Sequence, residues 1–149
     1  MYSLVRTDSQ NPGFKKLVSL LDAELAITDG KEHAFYDQFN KIDSIKYVVL
    51  AFQGEKAIGC GAIKEFDSRT MEVKRMYVVK SDRGKGVASM ILEVLENWSK
   101  EMSYSKCILE TGVRQPDAIA LYKKNDYLLR QNYGQYIGVE NSLCFEKSL

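Results

Sequence analysis

A mixed α/β fold with a mostly antiparallel central sheet flanked by helices is predicted for this chain of 149 residues. Three observations point to it. Two apolar runs are joined through Gln53-Gly54-Glu55 as in a hairpin, and Asp67-Ser68-Arg69 then turns the chain into a third, β-branched run. That run passes through a glycine turn into a helical pattern, and a further strand follows. A strand reached through a helical crossover is expected to lie parallel to its predecessor, which makes the sheet mixed.

Tyr2 to Arg6 can start the sheet. Asn11-Pro12 then caps and opens a helix with Phe14, Leu17, Val18, Leu21 and Leu25 on one face. Gly30 breaks the pattern, and Lys31 to Asn40 read as a shorter helix with Ala34, Phe35 and Phe39 at least partly inward. Ile45–Phe52, Ala57–Phe66 and Val73–Val79 are the second, third and fourth strands. Val87, Met90, Ile91, Val94, Leu95 and Trp98 follow helical spacing, and Lys106–Glu110 is the fifth strand. After a helix from Pro116, Tyr133–Tyr136 and Ser142–Phe145 are read as a closing β pair, folded back within the chain or exchanged in a dimer. Monomer and homodimer both remain open. The length suits a single domain over residues 1–149.

Charge excludes some partners. A net charge of +1 provides no field of one sign for nucleic acid or an acidic membrane. The amino terminus lacks the pattern of a secretory leader and no apolar run approaches bilayer length, so a cytoplasmic location is expected. Cys60, Cys107 and Cys144 are widely spaced within apolar runs and read as buried thiols rather than a disulfide framework. With His33 as the single histidine and no close Cys/His cluster, no metal site is predicted.

The segment Arg83-Gly84-Lys85-Gly86-Val87-Ala88-Ser89 carries the most chemistry. It joins a strand to a helix, where the first helical amides lack intrahelical acceptors and the helix dipole is positive. Arg83 and Lys85 add charge, so an anion such as a diphosphate is the natural occupant. A dinucleotide fingerprint fits poorly, because Lys80 to Arg83 intervene between strand and glycine and Ser89 takes the third small position. Gly-x-x-x-x-Gly-Lys-Ser/Thr is absent, so nucleotide hydrolysis has no support.

The same residues resemble the R/Q-x-x-G-x-G/A signature of the GCN5-related N-acetyltransferase (GNAT) family, with Met76-Tyr77-Val78 where that family places its pantetheine-binding strand. Downstream, Pro116 to Tyr127 is similar to the family's fourth helix, whose ending "LY-x-K-x-G-F/Y" is matched except that Asp126 replaces glycine. The resemblance implies a GNAT-like sheet in which parallel strands four and five splay apart, with acetyl-CoA in the opening. Met76, Tyr77 and Val78 would then meet pantetheine as a partial strand, and Arg83 through Ser89 the pyrophosphate. Lys124 or Lys123 would approach the nucleotide phosphates, unless they form only a solvated helix face.

The resemblance also makes Tyr122 the proton donor to the CoA sulfur; packing in the core is the alternative. Acetyl transfer to an amine needs a proton acceptor as well. Glu72 is the leading candidate, because strand alternation places it on one face with Lys74, Met76 and Val78. An ion pair with Lys74 is its other reading, water can serve instead, and Glu110 and Glu24 are outsiders for the task. A direct ternary-complex reaction is expected, since no cysteine has a basic partner nearby in sequence. Lys74, on the same face as Glu72, suggests a small primary amine bearing a carboxylate, such as an amino acid. His33 and Tyr36 are candidates for the acceptor entrance, and Arg75, on the opposite face, either pairs with a buried carboxylate, the favoured reading, or reaches the edge of the site. Acetylation of a protein amino terminus or lysine is the alternative activity, and a non-catalytic acyl-CoA-binding module the alternative of another class.

Overall fold

In chain order the elements are β1 (Ser3–Thr7), α1 (Pro12–Asp29), α2 (His33–Asp37), β2 (Tyr47–Gln53), β3 (Lys56–Asp67), β4 (Thr70–Val78), α3 (Val87–Glu101), β5 (Lys106–Gly112), α4 (Pro116–Lys124), β6 (Leu128–Arg130) and β7 (Ser142–Ser148). They are seen in a computed structural model that describes residues 1–37 and 45–149. Phe39 and Asn40, read as the end of the second helix, lie outside the described residues. The sheet runs β1-β2-β3-β4-β5-β7-β6, antiparallel throughout except for the β4–β5 pair. No helix among the described residues is long and apolar enough to cross a membrane.

Two helices cover opposite faces of the sheet. Alternating side chains of β2 divide between them: Val48 and Leu50 pack with Phe14, Leu17 and Val18 of α1, whereas Val49 and Ala51 join Ile91, Leu92 and Leu95 of α3. α1 starts as its sequence suggests, with Asn11 Oδ1 accepting from Gly13 N at 2.9 Å and Pro12 in the first turn. α3 lies close on β3. A Cβ at Gly61 would come within 2.5 Å of Met76 Sδ and 2.7 Å of Ile91, so the bare backbone sets the approach.

The β4–β5 pairing is short: Thr70, Met71 and Glu72 register with Lys106, Cys107 and Ile108, and there it stops. β5 continues beside β7 as far as Gly112, while β4 runs on beside β3 to Val78. The two parallel strands therefore diverge and leave a V-shaped opening in the sheet.

A bulge in β4 changes the predicted faces. Lys74 opposes Ala62 and Tyr77 opposes Cys60, so three steps on β4 match two on β3; Arg75 absorbs the extra residue at φ 58°. Lys74 and Arg75 consequently both turn toward α1. Met76 and Val78 turn toward α3, away from the face of Glu72, contrary to simple alternation. Arg75 does pair with a carboxylate, Asp22 of α1, but from the same side of the sheet as Lys74.

Two further expectations are corrected. Ala34 is exposed, whereas Tyr36, which is not among the predicted inward positions, is buried beside Ile108, Tyr133 and Tyr136. Tyr133–Tyr136 is no strand: Gly134–Tyr136 forms a 3-10 turn, and β7 pairs instead with β5 and β6. The rings of Tyr133 and Tyr136 bury edge to face at 5.7 Å, and Asn132 Nδ2 donates to the carbonyls of Tyr136, Val139 and Ser142 at 3.0 Å each. Those bonds hold the loop in a curl that an extended strand would break.

Candidate active site

The opening between β4 and β5 contains two adjoining cavities. The outer one, about 720 Å³, runs between α1, the end of β4, the start of α3 and α4. The inner one, about 120 Å³, lies deeper, between α1, β4 and β5. Tyr122 of α4 lines both, as do Leu21, Leu25 and Met76, so the tyrosine stands where they meet.

Most of the residues singled out for cofactor binding line the outer cavity. Met76, Tyr77 and Val78 form one wall; Arg83, Gly84, Gly86, Val87, Ala88 and Ser89 close an end, and Lys124 lies on the α4 side. Lys85 is not among its lining residues. Gly86 caps α3 at φ 83° with no side-chain acceptor, leaving the first helical amides, from Val87 on, without an intrahelical acceptor. A Cβ at Gly84 or Gly86 would meet nothing within 4 Å, so there is open space over these amides. Such a cradle fits a diphosphate, with the amides as donors and the helix dipole in support. Ser89 Oγ accepts from Asn125 Nδ2 at 3.0 Å, tying α3 to the end of α4. Asp126, in the place of the usual glycine, takes φ 70°, a conformation aspartate tolerates.

The open edge of β4 can receive an extended ligand. Val79 N donates to Ile58 O at 2.9 Å, which by antiparallel alternation turns the N–H and C=O of Val78 away from β3. Arg83 Nε donates to that Val78 carbonyl at 2.7 Å, and Arg83 Nη2 reaches the Glu24 carboxylate at 3.0 and 3.1 Å. Its guanidinium also lies 5.4 Å from the Tyr77 ring centre. The arginine is therefore a paired group that braces loop against strand, and its charge is partly compensated.

Tyr122 is buried, with its ring against Tyr127 at 5.8 Å and Phe145 at 6.3 Å. Burial raises its pKa, and the charge of Glu110 adds to this, so the phenol stays protonated at neutral pH. Tyr127 is itself fixed, donating to Glu96 Oε2 at 2.9 Å while Lys147 Nζ holds Glu96 Oε1 at 2.8 Å.

Glu72 lines neither cavity. It accepts from Tyr133 OH at 2.6 Å and lies 3.8 Å from Lys74 Nζ, a buried structural arrangement. Two carboxylates do line the inner cavity, Asp29 at the end of α1 and Glu110 at the diverging end of β5; Glu110 is the one on a strand of the opening. Burial pushes its pKa up to about 7; Asp29 and Glu72 push the same way, against Ser142 and Lys74. Its Oε2 is buried without a hydrogen-bond partner. Sequence reading ranked it below Glu72 because its surroundings come from α1 and β7, distant in the chain; its position at the end of the splayed strand was the available signal.

Lys74 and Tyr36 both line the inner cavity, Tyr36 OH lying 2.9 Å from Ser142 Oγ. Burial lowers the Lys74 pKa, opposed by Glu72. His33 lines neither cavity; its Nε2 lies 4.0 Å from Asp37 Oδ1. The three cysteines are buried, which drives their thiols up to about 12 for Cys60 and about 11 for Cys107 and Cys144. None is poised as a thiolate nucleophile.

Comparison with known proteins agrees with this geometry. The model of the acetyltransferase (GNAT) family matches residues 14–127. An IAA acetyltransferase of Azospirillum brasilense is 37% identical over 106 residues, covering 70% of this chain and 69% of that protein. The crystal structure of a Klebsiella pneumoniae protein described as an acyl-CoA N-acyltransferase superposes with a TM-score of 0.84 at 27% identity, covering 100% of this chain and 98% of the other. A GNAT family acetyltransferase from Elizabethkingia anophelis, with acetyl-CoA bound, shares the fold at a TM-score of 0.71 and 19% identity, over 99% and 98% of the two chains.

Proposed function

Because the chain belongs to the GNAT family of acetyltransferases, we propose that residues 1–149 form one N-acetyltransferase domain that moves acetyl from acetyl-CoA to the primary amine of a small, carboxylate-bearing molecule. The observation that carries this reading is the position of Tyr122 between a long outer cleft and a small polar inner cavity. The outer cleft suits acetyl-CoA, with diphosphate over the amides that open α3 and pantetheine along the free edge of β4. The inner cavity suits an acceptor of a few heavy atoms.

Each step then falls to a residue of this chain. Glu110, poised near pH 7, takes the proton of the entering ammonium, directly or through water. The neutral nitrogen attacks the acetyl carbonyl, which the main-chain N–H of Met76 or Val78 polarises. As the C–N bond forms and the C–S bond breaks, Tyr122 gives its proton to the departing sulfur, and the proton that the nitrogen sheds on becoming an amide returns through water to the phenolate. With the thiols held protonated by burial, transfer is direct, without an acetyl-cysteine. Lys74, beside the cavity wall, offers a cation to the acceptor carboxylate.

The reading is tested by CoA release from acetyl-CoA with a panel of amino acids, simple amines and peptides. Release with small carboxylate-bearing amines supports it; release confined to peptide amino termini or lysines would favour a protein acetyltransferase.

A further inference from the structure

Asp29 is an uncomfortable residue in this fold. It ends α1, a helix of 18 residues, so its carboxylate stands at the negative end of the helix dipole. The residue is only 7% exposed, and its carboxylate accepts no hydrogen bond among the described residues. Burial raises its pKa; Glu32 adds to this, and His33 and Arg114 oppose it. Arg114 and His33 are both directed elsewhere. Arg114 Nη1 donates to the main-chain carbonyl of Asp29 at 3.2 Å and its Nη2 lies 3.9 Å from Glu32 Oε1, while His33 Nε2 lies beside Asp37.

Asp29 lines the inner cavity together with Glu110, whose Oε2 is buried and unpartnered, and the charge of Asp29 adds to the cost of ionising Glu110. A buried Glu110 oxygen without a donor and the Asp29 carboxylate, lining one small cavity, complement a compact cation with several N–H groups. A primary ammonium has three.

We propose that Asp29 is the amine-capturing carboxylate of this enzyme, holding the acceptor's ammonium group beside Glu110 until Glu110 takes its proton. This rests on the amine-acetylating reading above. It divides the work of the two acids: Asp29 binds and selects for charge, Glu110 does the chemistry. Amides and alcohols of the same shape, which bring no cation, are rejected because Glu110 Oε2 would stay unpaired and the Asp29 charge uncompensated.

The test uses protein loaded with CoA, which lacks the acetyl group and so permits binding without turnover. Calorimetric titration with amino acids, their carboxyl amides and the corresponding decarboxylated amines compares the wild type with Asp29→Asn, Asp29→Ser and Glu110→Gln. The acceptor bound most tightly by wild type should lose about 10- to 100-fold in affinity in both Asp29 variants, the range of a charged hydrogen bond. CoA affinity should be unchanged, which also reports correct folding. With acetyl-CoA, KM should rise by a similar factor while kcat stays within about threefold, and Glu110→Gln should show the opposite split. Unchanged amine affinity in the Asp29 variants, a fall in kcat at unchanged KM, or no amine binding to wild type would overturn the proposal. Asp29-dependent amine binding without acetyl transfer would keep the capture site and remove the acetylating reading.

Discussion

Glu110 and Tyr122 share the wall of the inner cavity, and the charge of the carboxylate adds to burial in keeping the phenol protonated. The proposed proton acceptor and proton donor thus lie on two different elements beside the same opening, one on the strand β5 and one on the helix α4. Their environments push their proton affinities to values suited to opposite tasks.

Glu110→Gln should lower kcat by roughly 10²- to 10⁴-fold, the usual range for loss of a general base. In wild type, kcat/KM should rise with pH through about 7, where Glu110 ionises; the variant should lose that rise. A wild-type limb surviving in the variant would assign it to another group.

The same residue makes a stability prediction. Its folded pKa, about 7, exceeds the ordinary 4.5, so the folded state holds this proton more tightly and stability falls as pH rises between those values. Glu110→Gln should therefore melt like wild type near pH 4 and higher near pH 8, by roughly 5 °C. Equal melting temperatures at both would show that the carboxylate bears no burial cost.

Tyr122→Phe keeps the ring against Tyr127 and Phe145 but removes the proton donor. A fall in kcat of roughly 10²-fold with CoA affinity retained is expected in steady-state kinetics. Wild-type turnover would reduce the residue to packing.

At the anion cradle, Gly86→Val adds a branched side chain at φ 83° and fills the open space over the first amides of α3. CoA affinity should fall at least tenfold by calorimetry. Arg83→Ala should cost less, because Glu24 already compensates its charge, and Glu24→Gln should strengthen CoA binding by releasing it. Undiminished affinity in Gly86→Val would remove the loop from the site.

Lys74→Ala should narrow the preference for amino acids over their carboxyl amides. Equal use of acid and amide by wild type, or unchanged discrimination in the variant, would remove the carboxylate contact.

Much of the fold was legible because it rests on local signals. The alternation through Val48 to Ala51, the hairpin at Gly54 and the Pro116 helix start each constrain a few neighbouring residues. The cofactor loop was legible for the same reason, since strand, glycine turn and helix are contiguous. The bulge was not. A positive φ at an arginine follows from how β3 and α1 grip β4, and it moved Met76 and Val78 to the other face from Glu72. Glu110 ranked below Glu72, and Asp29 went unnoticed, for a similar reason: a carboxylate's burial and company are set by elements far away in sequence. Tyr133 to Tyr136 misled in the other direction: its aromatic pattern suits a strand, but ring burial and Asn132 curl it.

The proposed reaction is acetylation of a small amine where the two cavities meet, by Glu110 and Tyr122. Its most direct test is CoA release, with mass analysis of the acceptor, from wild type, Glu110→Gln and Tyr122→Phe supplied with acetyl-CoA and small carboxylate-bearing amines near pH 8. The predicted result is one acetylated amine per CoA in wild type and a loss of roughly 10²-fold or more in each variant. Transfer to peptides alone, or small-amine transfer undiminished in both variants, would contradict it.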